Sequence, residues 1–261
     1  MVFPIDASVP KHWHGGRRSL SIFFDNLSIF FPAGERFFIA SLRAQRHRVT
    51  DPQLLRDIAL FSAQEGMHGR EHVKYNENLH AHGYPARAMD ARVQRILRLV
   101  SRVLPKRSQL AVTCALEHFT AMMAHFILSD PRLLEGAHPA MAALWRWHAA
   151  EENEHKGVAF DVYRAAGGGE VERMTIMAAT TLVFWAKVLE QQVRLMGADG
   201  CLFSAREWWA LVRFLCIEPG GMLGLGRAYL DYYRPGFHPW DLDNRELLER
   251  WKEESYAHAA L

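Results

Sequence analysis

Glu65 and His68 stand three residues apart, and so do Glu152 and His155. On a helix that spacing turns two side chains to one face, so each pair could offer a carboxylate and an imidazole to a metal ion. Two more glutamates, Glu35 and Glu117, lie in stretches dominated by apolar residues, and Glu117 is the only formally charged residue between Ser108 and Ser129. An isolated carboxylate buried in such a stretch would cost more than a fold has to spare, so something cationic should neutralise both. Along the chain the order is Glu, ExxH, Glu, ExxH, which is the ligand order of carboxylate-bridged two-metal sites in helix bundles. Four carboxylates balance two divalent ions, and hard oxygen donors with two imidazoles suit iron or manganese.

Competing readings exist for each residue. Glu35 could be a first-turn acid after Pro32, favourable to the helix dipole, although Phe30, Phe31, Phe37 and Phe38 around it argue for burial. Glu117 could be structural only with a buried arginine partner. His72 and His148 could face the donors or simply fill the core. His118 and His125 are expected to be satisfied core histidines. His12, His14, His47, His80, His82, His138, His238 and His258 are expected at the surface or in loops. Phe61, Phe119, Met122, Met123 and Trp145 recur at helical spacing beside the donors, which predicts core packing and leaves room for an apolar substrate pocket.

The elements that must position these residues are helical, because apolar residues recur at three and four positions and alternating strand patterns are few. Residues 20–31 begin the first helix, and Pro32 should kink it or start a second one over 32–48. Asp51 and Pro52 open a helix reaching about residue 80. Further helices are expected over 86–103, 108–129, 139–164, 170–195 and 204–216, after Pro219, and over 241–256. Glu35 and Glu65 are 30 residues apart, Glu117 and Glu152 are 35 apart. At about 1.5 Å per residue each pair can descend one helix, turn and return to the same height. The 49 residues between His68 and Glu117 leave room for one long crossover. The expected architecture is a single all-α domain, residues 1–261, with a metal-binding four-helix bundle at 19–165 and appended helices at 166–261.

The 261 residues suffice for a sizeable core, and 31 basic against 29 acidic residues give a net charge of +2. Such a balance supplies no overall field favouring nucleic acid. Cys114, Cys201 and Cys216 lack metal or redox spacing, which fits a reducing, cytoplasmic setting. The most apolar run, residues 174–186, has 13 residues and three threonines, short of the roughly 20 that a membrane-spanning helix needs. It is expected to pack on the bundle, where it could close an apolar pocket or touch a membrane.

The quartet of motifs resembles the ferritin-like di-iron carboxylate superfamily. More narrowly, Phe31-Pro32-Ala33-Gly34-Glu35-Arg36-Phe37-Phe38, Gln64-Glu65-Gly66-Met67-His68 and the run from Glu151 to Asp161 are similar to a bacterial family of predicted metal-dependent hydrolases. The superfamily resemblance implies a ferritin-like bundle in which Glu35, Glu65 and His68 serve one ion and Glu117, Glu152 and His155 the other, with Glu65 and Glu152 bridging. It also implies that Glu151 hydrogen-bonds a ligating histidine and that an extra histidine, His72 or His148, could join the ligands; Asp161 and Asn76 could orient these groups. The functional expectation is a di-iron oxidase or oxygenase acting with dioxygen on a small apolar substrate, with an electron-donor protein and a possible homo-oligomer. The alternatives are a metal-dependent hydrolase, as the narrower family name says, and a non-enzymatic iron-binding protein.

Overall fold

Proline removes the hydrogen bond that position 32 would donate to the carbonyl of Ser28, yet the first helix, α1 (Arg18–Gln45), runs unbroken through it. The repair comes from the second helix, α2 (Pro52–Ala81), where Asn76 Nδ2 donates to Ser28 O at 3.1 Å. Of the two readings that Pro32 allows, a kinked first helix or a second helix starting there, the structure has one helix through Pro32. A short 3₁₀ turn, Arg46–Arg48, ends α1, and the Asp51 carboxylate caps α2 by accepting from Gln53 N. This computed structural model describes residues 2–259, and for residues 222, 223 and 254–259 the backbone alone, so the side chain of His258 lies outside the described residues.

After α2 come α3 (Ala86–Val103), α4 (Lys106–Ser129), α5 (Pro139–His155), α6 (Val158–Ala165), α7 (Glu170–Ala198), α8 (Ala205–Val212), α9 (Gly221–Asp231) and α10 (Arg245–Ala259). Among the described residues there is no strand, only an isolated bridge between His14 and Ala137. Helix α1 packs along α2 and α4 along α5; the two pairs meet through α1 against α4 and α2 against α5. The crossover α3 leans on α1 and α2, and α7 covers α1 and α4. By length and composition α4 could cross a bilayer, but most of that window is buried against its neighbours. The apolar run 174–186 falls inside α7.

Two departures from the sequence reading arise from residues distant in the chain. The helix expected over 139–164 is interrupted directly after His155, where the Lys156 ammonium turns to Leu242 O and Asn244 Oδ1. A Cβ at Gly157 would stand 2.8 Å from Trp240 Nε1, so the indole sits where only glycine admits it. His14, expected at the surface, is fully buried: it stacks on Phe24 and lies 2.7 Å from Leu133 O. Burial, reinforced by Arg17, pushes its pKa down to about 4.

Candidate metal centre

Helix periodicity carries Glu35 on α1, Glu65 and His68 on α2, Glu117 on α4, and Glu152 and His155 on α5 to one buried level between the four helices. None of the six is more than 4% exposed. Their donor atoms fall into two groups, Glu65, Glu117, Glu152 and His155 in one and Glu35, His68 and His148 in the other, with the contributing atoms within 4.8 Å of one another inside each group. This grouping differs from the one that the superfamily resemblance implies. Glu65 reaches across to the second ExxH pair, its Oε1 lying 3.0 Å from His155 Nε2, and His148 joins Glu35 and His68. Glu152 lies between the groups, with Oε1 3.5 Å from His68 Nδ1 and 3.9 Å from His155 Nε2.

A buried polar atom in a folded protein normally has a hydrogen-bond partner. Here both carboxylate oxygens of Glu35, Glu65 and Glu117, one of Glu152, His68 Nδ1 and His155 Nε2 have none. No arginine answers Glu117, whose one ion-pair partner among the described residues is His155 at 3.8 Å. Burial, then repulsion from neighbouring carboxylates, raises the pKa of Glu35, Glu65 and Glu117 well above the usual range. Glu152 is also pushed up by burial, but His148 and His155 more than offset this and hold it below its ordinary value. A cluster of unpaired oxygens and imidazole nitrogens, crowded and short of positive charge, fits divalent cations.

The partners of the histidines settle which ring nitrogen faces the cluster. Gln64 Nε2 donates to Glu154 Oε2 at 3.1 Å, so its Oε1 is the acceptor 3.0 Å from His155 Nδ1. The proton sits on Nδ1 and the lone pair of Nε2 turns inward. Glu151 Oε2 is 3.0 Å from His68 Nε2, and Trp147 Nε1 donates to its other oxygen at 2.7 Å, which leaves His68 Nδ1 inward. Such outer partners fix tautomer and orientation of metal-binding imidazoles.

A third chain follows the same logic. Because Asn76 Nδ2 is committed to Ser28 O, Asn76 Oδ1 accepts from Ser28 Oγ at 2.8 Å. Ser28 Oγ must then accept from His72 Nδ1 at 2.9 Å, and His72 Nε2 from His148 Nδ1 at 2.7 Å. His148 thereby turns Nε2 to Glu152 Oε1 at 2.9 Å, where with a proton it donates to the carboxylate and without one it presents a lone pair. Two lone pairs at that distance call for a cation beside them or a proton between them. Of the two extra histidines, His148 therefore reaches the donor set and His72 supports it.

Other expected site residues lie elsewhere. Asp161 is not at the cluster; its Oδ1 meets His238 Nε2 at 3.0 Å near the surface. His118 is buried and its Nε2 lies 3.0 Å from Ala228 O, while His125 is half-buried. Roles that sequence reasoning missed belong to Gln64, Ser28, Trp147 and Gly69. A Cβ at Gly69 would stand 2.8 Å from Glu35 Oε2, so this glycine clears space for a donor carboxylate. Aromatic rings seal the cluster: Phe31 lies against His72 and His148, Phe61 against His155, and Trp147 against His68.

A family model described as "Predicted metal-dependent hydrolase" matches residues 1–243 of this chain. No curated protein and no solved structure matches it.

Proposed function

From the premise that this chain belongs to the family of predicted metal-dependent hydrolases, we propose that its buried donor set holds two divalent metal ions and hydrolyses a small, largely apolar substrate. The observation that carries the proposal is the set of unpaired carboxylate oxygens and imidazole nitrogens on Glu35, Glu65, His68, Glu117, Glu152 and His155. Glu65, Glu117, Glu152 and His155 would hold one ion and Glu35, His68 and His148 the other, with Glu152 lying between the two groups. Paired divalent ions supply Lewis acidity and lower the pKa of a water at neutral pH. The protein's own part is to keep the inward imidazole nitrogens unprotonated through Gln64, Glu151 and His72, and to exclude bulk water with Phe31, Phe61 and Trp147. In this reading the packing of α1, α2, α4 and α5, with α3 as crossover, is a ferritin-like four-helix bundle.

A second reading, dioxygen-dependent oxidation with iron, is favoured by one feature: the donors come from helix interiors and are rich in carboxylates, a set that suits iron or manganese. Elemental analysis of the purified protein and of a Glu117→Ala/Glu152→Ala variant tests both. About two metal atoms per chain, lost in the variant, are expected. Turnover of esters, amides or phosphoesters under anaerobic conditions with a redox-inert metal supports hydrolysis. Dioxygen uptake by the reduced iron form without such turnover supports oxidation. A folded sample that binds neither iron, manganese nor zinc removes both.

A further inference from the structure

Next to the donor cluster lies an apolar cavity of about 290 Å³ enclosed by α1, α3, α4 and α7. Its walls run from Leu27 to Phe38 on α1 and from Ile176 to Lys187 on α7, which at 1.5 Å per residue is a length of about 16 Å. Thr120, Thr180 and Lys187 are the polar side chains on it. Leu27, Phe31, Thr120 and Met123 also line a smaller space of about 30 Å³ that is bordered by His148 and Glu152. The long cavity thus abuts the proposed metal centre along its flank. Val183, on its wall, is half exposed, so the cavity opens toward solvent on the α7 side.

At the Lys187 end the chemistry changes. A recess of about 280 Å³ shares Val93, Ile96 and Lys187 with the cavity and adds Arg92, Arg95 and Arg194, with Glu190 its one acid. Glu190 is already engaged by Arg92 at 3.4 Å, Lys187 at 2.6 Å and Arg194 at 3.0 Å. Arg95 has no acid partner among the described ion pairs, and its Nε donates to Ala91 O at 3.3 Å. Four cations around one carboxylate leave a local surplus that the balanced charge of the whole chain hides.

We propose that the cavity between α1, α3, α4 and α7 binds the hydrocarbon chain of a single-chain anionic amphiphile, whose acidic head group is held by Arg92, Arg95, Lys187 and Arg194. The chain passes Thr120, beside Glu152, so a substrate of the metal centre proposed above would carry its scissile ester or amide bond at that depth, water adding to the carbonyl and the alcohol or amine leaving; the inference names that substrate class and rests on that reading for its chemistry. An extended peptide does not suit these walls, because its backbone amides would be buried beside two hydroxyls and little else. A cationic head group would meet the arginines. Guanidinium groups match carboxylate or phosphate oxygens in geometry as well as charge.

The test is a binding titration of the metal-loaded full chain with dodecanoate, dodecyl phosphate, dodecanol and dodecyltrimethylammonium, all below their micelle concentrations. The anionic probes are expected to bind at least about tenfold tighter than the cationic one. Their ranking against each other distinguishes a carboxylate from a phosphate head group. Arg95→Glu combined with Arg194→Glu should weaken the anionic probes about tenfold and leave dodecanol nearly unchanged. Thr180→Trp from α7 and, separately, Val100→Trp from α3 fill the cavity and should abolish binding of anion and alcohol alike. Having two variants on opposite walls guards against one that misfolds.

Equal binding of the cationic probe, no binding by the folded wild type, or binding untouched by both tryptophans overturns the proposal. Metal content, and turnover of the esters, amides and phosphoesters named above, are measured on the same protein preparations. Amphiphile binding without metal removes the functional reading and leaves the ligand site; metal with turnover but no amphiphile binding does the reverse.

Discussion

Gln64 and Glu151 each precede the glutamate of one ExxH pair, and each meets the histidine of the other pair, Gln64 with His155 and Glu151 with His68. Removing such an orienting partner lowers metal affinity by about 10–100-fold in comparable sites. Gln64→Ala and Glu151→Ala are each expected to lose affinity in that range in a competition titration with a chelator, with helicity retained. Glu151→Gln, which keeps an acceptor, should recover part of it; wild-type affinity in both alanine variants ends the assigned role. A buried acid away from the centre gives a pH signature. Asp25 accepts from Trp13 Nε1 and Tyr75 Oη, and burial raises its pKa to about 7. A raised acid contributes stability that is full below its unfolded pKa and is lost as pH climbs through the folded one. Stability should therefore fall between about pH 4 and pH 7, by up to a few kcal/mol, and Asp25→Asn should flatten that fall in denaturant titrations. The three-residue spacing within each ExxH pair is readable because it is local to one helix. Which of His72 and His148 turns to the donors is not, because Ser28 and Asn76, on two different helices, decide it.

Helix starts and stops followed the same division between local and distant causes. Asp51 with Pro52, Gly83 with Pro85, and the glycines 167–169 mark boundaries from within their own segments, and the structure turns there. The continuity of α1 through Pro32 depends on a donor 44 residues further along, at Asn76, and the interruption after His155 depends on Trp240 and Asn244. No pattern within either helix carries that information. The α1 repair can be measured. Asn76→Ala leaves the buried Ser28 carbonyl without its donor, which should cost about 1–3 kcal/mol. In a Pro32→Ala background the new N–H supplies the helix's own bond to Ser28 O, so the same Asn76→Ala change should cost distinctly less. Equal costs in both backgrounds, measured by urea unfolding, would show that Asn76 acts through its side-chain bond to Ser28 Oγ instead.

Across the whole molecule the dominant unbalanced quantity is the charge enclosed by α1, α2, α4 and α5. Four glutamates lie there at 3% exposure or less, and the cations nearest in sequence do not answer them: Arg36 is exposed, and Lys156 turns to Leu242 O and Asn244 Oδ1. Without metal, Glu35, Glu65 and Glu117 are a liability: each is desolvated and repelled by its neighbours, and folding must overcome both. In the proposed function the same acids become ligands, and cation binding then adds to native stability by mass action. Glu117→Gln keeps the shape and removes one charge, so the two states should respond in opposite directions. The metal-free variant is expected to melt a few degrees above the metal-free wild type, because one desolvated, repelled carboxylate is gone. Addition of manganese or ferrous iron should then raise the melting temperature of the wild type and leave that of the variant nearly unchanged. Chelation should return the wild type to its lower value. A variant that is less stable than wild type in the metal-free form would mean that Glu117 has a structural partner after all. A variant that gains as much from metal as wild type would mean that Glu117 is not a ligand. Either result would break the link between the cost of burying these acids and their purpose, which is the link on which the functional reading of the fold depends.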